Sequence, residues 1–340
     1  LGDSLIHDRN TPGGQTMAGH ASNVTSLSKI ASQEWDYVIL QSQSQEPSFP
    51  PSQVANDVYP YAERLTDSIR RNTTCGTPLF YMTWGRKNGD ASNCAAYPPI
   101  CNYEGMQQRL RESYMEMAST NQGRASPVGV AWKRVREEYP EIELYTPDES
   151  HPSYAGSYLA ASVFYCSIFQ KSCKASDFIG SLDSTTARRL RTIASETVLD
   201  SLGLWGFLEA NVLLDSIFLN YAYLTASYSN ADSVAWDFGD PFVGSSSDSL
   251  VTAEYLVEGE YTITLSVYDR LNCESKSENT IGQIQLPSSI DVESSNQFGE
   301  VILRTDVLGR KIDNLGSFNL GQYFIEWDNL GNKCLRYKGF

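Results

Sequence analysis

The chain has 340 residues, 41% of them hydrophobic, with 20 Tyr and 13 Phe, which is too long for one average domain and too rich in core-forming residues for a disordered chain. Its formal charge is −15, and −11 of this falls from Trp205 onward, where eight Lys/Arg face 19 Asp/Glu. That balance argues against nucleic acid and anionic membranes as partners, and no apolar run reaches the roughly 18 residues of a membrane span.

The sequence opens at Leu1 in the middle of a polar stretch. The natural protein is therefore expected to begin earlier, and the lack of a visible signal peptide carries no information. Residues 1–10 are short and polar around Leu5-Ile6. Asn10-Thr-Pro-Gly-Gly-Gln-Thr16 is a glycine turn that permits close backbone approach and positive φ. A helix is predicted over 17–30. The apolar run 35–41 reads as a buried strand of parallel type. It ends in Gln41-Ser-Gln-Ser-Gln45, at the strand end where open α/β sheets bind ligands.

Val54, Val58, Tyr61, Leu65 and Ile69 give residues 51–72 a helical spacing. Residues 78–84 form the next predicted strand. It opens into a long loop, 85–103, carrying Arg86, Lys87 and Asp90, and loops of that length are usually functional or disordered. Helices are predicted over 104–119 and 128–139, a short strand over 141–145, and further helices over 154–169 and 184–202. Strands alternating with helices imply a doubly wound parallel sheet. Beyond Trp205 the helical period stops. Short alternating segments at 219–228, 233–238, 251–256 and 260–268, separated by Gly, Ser, Asn and Asp turns, fit a small β-sandwich. Pro287-Ser-Ser reads as a linker, and residues 290–340 as another all-β unit with strands at 301–306 and 321–328.

Of the seven cysteines, Cys94 and Cys101 flank a Pro-Pro loop, and Cys166 and Cys173 lie at the end of one helix. Both pairs have the short spacing of local disulfides in exported proteins. There is no Cys-x-x-Cys, so a zinc cage is not expected, and neither metal nor cofactor is expected.

The chemistry centres on Pro147-Asp148-Glu149-Ser150-His151-Pro152-Ser153. The chain has three histidines, His7, His20 and His151, and only His151 has a carboxylate at fixed short range on a rigid turn. A hydrolase needs that pairing of a base and its orienting acid. His7 reads as a surface or strand-edge residue, and His20 as structural or substrate-side.

Asp148-x-x-His151 resembles the last sequence block of SGNH/GDSL-type hydrolases, which are three-layer α/β esterases, acetylesterases and lipases. The Gly14-Gln15-Thr16 turn is similar to their second block, whose glycine N–H helps bind the oxyanion. Gln41-Ser-Gln43-Ser44 stands where their Gly-x-Asn-Asp block would be, with Gln in place of Asn. The resemblance covers residues 8–170. It implies acyl transfer: a serine attacks an ester carbonyl, His151 takes its proton and returns it to the leaving alcohol, and Asp148 orients the imidazole. Gly14 N–H and the Gln43 amide would stabilise the oxyanion, with Gln41 the alternative for Gln43.

Gly2-Asp3-Ser4 spells the family's name but is read as a chance match. Only Leu1 precedes it where a buried apolar strand must run, and Ser4 stands ten positions before Gly14. Parallel strands need about a dozen residues merely to cross over. Residues 1–10 are therefore read as the second-strand region, and the nucleophile is expected on a strand upstream of Leu1.

Ser233-Val-Ala-Trp-Asp-Phe-Gly-Asp240, Tyr255 and Gly259-Glu-Tyr-Thr-Ile-Thr-Leu-Ser-Val-Tyr-Asp269 resemble a PKD-type domain, with Trp236 in its core. Such domains are spacers or contacting modules in exported proteins. Val307-Leu-Gly-Arg310, the Gly321-Gln-Tyr-Phe-Ile-Glu326 run and the basic finish look like the C-terminal sorting domain of the type IX secretion system.

The expected architecture is thus α/β, a three-layer doubly wound parallel sheet of SGNH type lacking its first strand (1–203), followed by two small all-β sandwich domains: a PKD-like sandwich (204–286) and a sorting domain (287–340). The expected function is a secreted or cell-surface serine esterase of acetylesterase type. Its substrates would be acyl esters, small or on carbohydrate, and its export partner the type IX machinery. The alternative is a non-catalytic surface-binding protein or adhesin with a degenerate hydrolase domain.

Overall fold

The computed structural model describes residues 4–218, 220–240 and 242–284, and beyond them the strands β10 (Val301–Asp306), β11 (Gln322–Asp328) and β12 (Lys333–Lys338). The chain divides into two compact units, Leu1–Ile284 and Gln285–Phe340.

The first unit opens with a parallel sheet of three strands in sequence order: β1 (Tyr37–Leu40), β2 (Thr77–Tyr81) and β3 (Arg124–Ser126). Helices α1 (Met17–Ala21) and α2 (Val24–Ile30) precede β1. Helices α3 (Pro51–Asp57) and α4 (Tyr59–Asn72) join β1 to β2, and α5 (Tyr103–Thr120) joins β2 to β3. Helices α6 (Val128–Glu138), α7 (Tyr154–Phe169) and α8 (Ser184–Leu199) follow. Leu79 and Phe80 are neighbours on β2 and both fully buried. Successive strand side chains point to opposite faces, so both faces of the sheet are covered. One apolar cluster joins α1 to α5, with Met17, Leu65, Leu110 and Tyr114 at its centre. A second joins α6 to α8 through Trp132, Leu159 and Leu190. This is the three-layer α/β arrangement that the sequence implies.

Several elements differ from the sequence reading, each for a local reason. The helix over 17–30 is two helices, because the Asn23 side chain accepts from Ser26 N and starts a new one. The helix over 51–72 breaks at Val58, just before Pro60, which has no N–H to continue the ladder. Residues 141–145 are not a strand. They make a single antiparallel bridge, Tyr145 to Pro152, and spend their other bonds on the turn that follows. The polar segment Arg-Ala-Ser of β3 carries no strand signal, yet pairs with β2.

Strand β1 is parallel as expected but not buried. Among the described residues it has a neighbour on one side only, and Ile39 is 46% exposed. Residues 4–10, read as a second-strand region, form no strand in the structure.

The first unit continues with two antiparallel three-stranded sheets. One is β4 (Glu209–Phe218), β5 (Tyr221–Ser229) and β7 (Leu250–Glu254). The other is β6 (Ser233–Asp237), β8 (Gly259–Tyr268) and β9 (Glu274–Ile284). Leu224 and Ala253 from the first share one core with Trp236, Ile263 and Leu265 from the second, which makes a β-sandwich. Trp236 is core, as expected: 2% exposed, with its indole N–H donated to Asp248 O at 2.8 Å. Strand β4 escaped the sequence reading because most of its side chains are solvent-facing, which blurs the alternation.

A disulfide between Cys75, just before β2, and Cys273, just before β9, ties the sandwich to the α/β part across 198 positions. Arg124 on β3 reinforces the tie, 3.7 Å from Asp269. The Cys94–Cys101 disulfide forms as expected. Cys166 and Cys173 do not bond. Both are buried thiols with sulfurs 3.6 Å apart, and Ser195 Oγ lies within hydrogen-bonding reach of each.

In the second unit β10, β11 and β12 form an antiparallel meander. The linker at 287–289 and the 307–310 motif lie outside the described residues.

Candidate active site

The Asp148–His151 turn is built almost entirely from itself. Asp148 Oδ1 accepts from the Thr146 hydroxyl (2.8 Å) and from the backbone N–H groups of Ser150 and His151 (both 2.9 Å). Asp148 Oδ2 accepts from His151 Nδ1 at 2.6 Å. The backbone N–H groups of His151 and Ser150, then the His151 ring and the Thr146 hydroxyl, hold the Asp148 carboxyl well below the usual carboxylate range. An ionised carboxylate only accepts, so His151 Nδ1 must carry the shared proton, and in the neutral ring Nε2 is the nitrogen with the lone pair. The His151 side chain is 78% exposed.

Neighbouring elements clamp this turn. Thr146 N donates to His151 O (2.9 Å), and Ser153 N to Leu144 O (2.8 Å). The Ser153 hydroxyl then caps α7 by accepting from Gly156 N. From the end of β2, Trp84 donates its indole N–H to Ser150 O (3.0 Å), and Lys87 N donates to Glu149 O (2.9 Å). Trp84 is itself stacked on Trp132 of α6, ring centres 4.0 Å apart. Glu149 takes φ +60°, a conformation that costs a non-glycine residue energy and is held here by the surrounding bonds.

The turn borders a cleft of about 1700 Å³ that runs along the open edge of β1. Gly14 also lines it, with φ +70° and open space where a Cβ would stand, so a ligand can approach its backbone closely. Gln41 is exposed on the same wall and makes no hydrogen bond among the described residues. Gln43 is more constrained. Its Oε1 accepts from the backbone N–H groups of Gln45 (2.9 Å) and Glu46 (3.1 Å), and its Nε2 donates to Gln45 Oε1 (3.1 Å). It therefore caps the turn after β1 and keeps one Nε2 hydrogen for another partner.

Sequence reasoning missed Ser42, Gln45 and Asp90. Ser42 is buried, accepts from Met17 N (3.3 Å) and donates to the Glu46 carboxylate, which locks the end of β1 to the start of α1. Burial pushes the Glu46 carboxyl up, against the lowering effect of the Ser42 hydroxyl. The sequence placed these residues in a strand-end polar cluster and a long loop, but the burial that sets Ser42 and Asp90 apart is not visible in sequence. His20 bonds Ser26 Oγ through Nδ1 (2.8 Å), and burial pulls its pKa down. Ser4 lines the cleft on an exposed, unpaired segment, and no hydrogen bond links it to His151.

No protein-family model matches the chain, and no curated protein does. Among solved structures it is similar to a DUF4886 family protein from Bacteroides uniformis, at 15% identity over 55% of this chain and 81% of that one, with a TM-score of 0.47. It is also similar to a protein from Slackia heliotrinireducens provisionally described as an SGNH hydrolase, at 25% identity over 45% of this chain and 78% of that one, TM-score 0.37. A third likeness is to the PKD1 domain of Vibrio anguillarum Epp, at 26% identity over 24% of this chain and 95% of that one, TM-score 0.21. Among the described residues no helix is long and apolar enough to cross a membrane, and no group of three or more His, Cys, Asp or Glu could hold a metal ion.

Proposed function

We propose that the α/β part is an SGNH-type ester hydrolase in which His151 is the general base and Asp148 its orienting acid. The observation that carries this is the 2.6 Å bond from His151 Nδ1 to an ionised Asp148, in a largely exposed side chain that lines the cleft. Gly14 N–H and the remaining Gln43 N–H, with Gln41 as the alternative amide, stabilise the oxyanion. The nucleophilic serine comes from an apolar strand, upstream in the natural chain, that pairs with the free edge of β1. Half-exposed Ile39 and the cleft beside it favour this, because a parallel strand normally has both neighbours and buried faces.

The domain assignment extends this reading: 1–203 hydrolase, 204–286 PKD-like spacer, 287–340 type IX sorting domain, in a protein exported to the cell surface or medium. The two disulfides favour an oxidising compartment. The substrates are acyl esters, on carbohydrate where the spacer brings the enzyme to a polysaccharide. The test is hydrolysis of a chromogenic acetyl ester. The chain from Leu1 is expected to be nearly inactive, and the chain extended through its upstream strand active and His151-dependent. Equal, His151-dependent rates in both would overturn the upstream serine. A second reading, a non-catalytic surface-binding protein, is favoured by the lack of any described serine bonded to His151. It stands if the extended chain is also inactive.

A further inference from the structure

The loop 85–103 leaves the end of β2 and carries Asp90, which is fully buried. The loop is pinned at both ends. The Cys94–Cys101 disulfide closes it, Asp90 N donates to Ile100 O (2.8 Å), and Gly89, at φ +82°, packs so closely that a Cβ would stand 2.5 Å from Asn102 N. The Asp90 carboxylate has four partners. Oδ1 accepts from Ser92 N (3.2 Å) and Arg86 Nη1 (3.3 Å), and Oδ2 from Asn93 Nδ2 (2.7 Å) and Gln45 Nε2 (2.7 Å). Burial pushes the carboxyl up, but the hydrogen bonds from Asn93 and Gln45 and the charge of Arg86 outweigh it and keep the group ionised.

An ionised carboxylate cannot donate, and this has a directional consequence. Gln45 must turn its NH₂ toward Asp90, so its Oε1 faces Gln43. Gln43 must then turn its NH₂ toward Gln45 and its Oε1 away, where two backbone N–H groups meet it. The row Gln43–Gln45–Asp90–Arg86 has one consistent polarity, fixed by donors at one end and an acceptor at the other. Gln43, which lines the cleft, then has its carbonyl oxygen taken by backbone and one Nε2 hydrogen left for another partner.

We infer that Asp90 is a positioning residue for the proposed reaction, holding the Gln43 amide with its N–H toward the oxyanion through Gln45 and within a disulfide-braced loop. This rests on the ester-hydrolase reading. Asn at position 90 can donate as well as accept, so Gln45 loses its fixed orientation; Gln43 keeps its two backbone donors but loses the Gln45 oxygen that steadies its NH₂. A donor misdirected in this way acts on the transition state more than on ground-state binding.

The test uses the His151-dependent, strand-extended protein and a chromogenic acetyl ester. Asp90→Asn is expected to lower kcat about tenfold, with KM within about twofold. Gln43→Ala is expected to lower kcat on the order of 100-fold, and adding Asp90→Asn to it should cost nothing further. Gln45→Met cuts the row in the middle while leaving Asp90 its other partners, so it covers the case of an unfolded Asp90→Asn. It should reproduce the same fall in kcat and the same silence in the Gln43→Ala background. An unchanged kcat in Asp90→Asn or Gln45→Met overturns the inference, and so does an effect of equal size with and without Gln43. If His151→Ala abolishes activity while these variants do not lower kcat, the relay alone fails. If activity does not depend on His151, the hydrolase reading fails and the relay with it.

Discussion

The two sides of the cleft are built in opposite ways. On one side, the acid and base lie three residues apart, and nearly every bond that fixes them runs between residues 144 and 153. On the other, the Gln43 amide is held by two backbone N–H groups and by Gln45, which a bond spanning 45 positions ties to Asp90 inside a loop closed by its own disulfide. The first side is a turn whose short polar side chains bond their own backbone. The second is an assembly of three segments that meet only when the sheet and its helices have formed. A locally built site tolerates disturbance elsewhere, while an assembled one transmits it.

The largest expected effect is on the local side. In the strand-extended protein, His151→Ala should lower kcat on the order of 1000-fold or more, with little change in melting temperature, because the side chain is mostly exposed. A steady-state assay beside a thermal melt checks both halves, and a large loss of stability would contradict the local picture.

The next effect belongs to the assembled side. Replacing both Cys94 and Cys101 by Ser frees a short loop and should cost about 2–3 kcal/mol of unfolding free energy by the chain-entropy estimate. It should lower kcat through Gln43 while leaving the His151–Asp148 bond intact. Denaturant unfolding and the ring-proton NMR signal of His151 Nδ1–H report the two independently. A shifted His151 signal would mean the two sides are not separate.

Smaller still is Ser153→Ala. It removes the cap of α7 and the bond to Glu143 O (2.8 Å), at a cost of about 1 kcal/mol. The same unfolding measurement reads it.

The smallest effect is on acid stability. The folded Asp148 carboxyl titrates below its ordinary value of 3.8, so its stabilisation is complete above that pH and fades as pH falls beneath it. Asp148→Asn should therefore flatten the dependence of melting temperature on pH below about 4. A variant that melts with the parent's slope there would deny the carboxylate its bonds.

The legibility of the chain follows the same division. Asp148 and His151 could be found because a single histidine sits at fixed spacing from an acid between two prolines. Helix α7 was readable to the residue, since a serine cap, an apolar run and small residues agree over one segment. The Gln41–Gln45 cluster could be placed at a strand end, but not which amide is free and which is a cap. Residues 141–145 misled because an alternating pattern does not say whether a partner strand is there to pair with it. Cys75 and Cys273 gave no hint of pairing at 198 positions, whereas Cys94 and Cys101 did at seven.

By itself, then, the sequence determined what is short-ranged: the periodicity of the helices, the α/β-then-β order, the local disulfide loop, and the pairing of Asp148 with His151 on one turn. Local backbone bonds and side-chain periods need no knowledge of what lies across the fold. Only the tertiary structure decided that β1 is an edge among the described strands, that Ser42 and Asp90 are buried, that the Gln43 carbonyl is taken by two backbone N–H groups, and that a disulfide joins the sandwich to the sheet. Each of these depends on which polar groups lose water and which partners replace it, and that is fixed only when distant segments pack together.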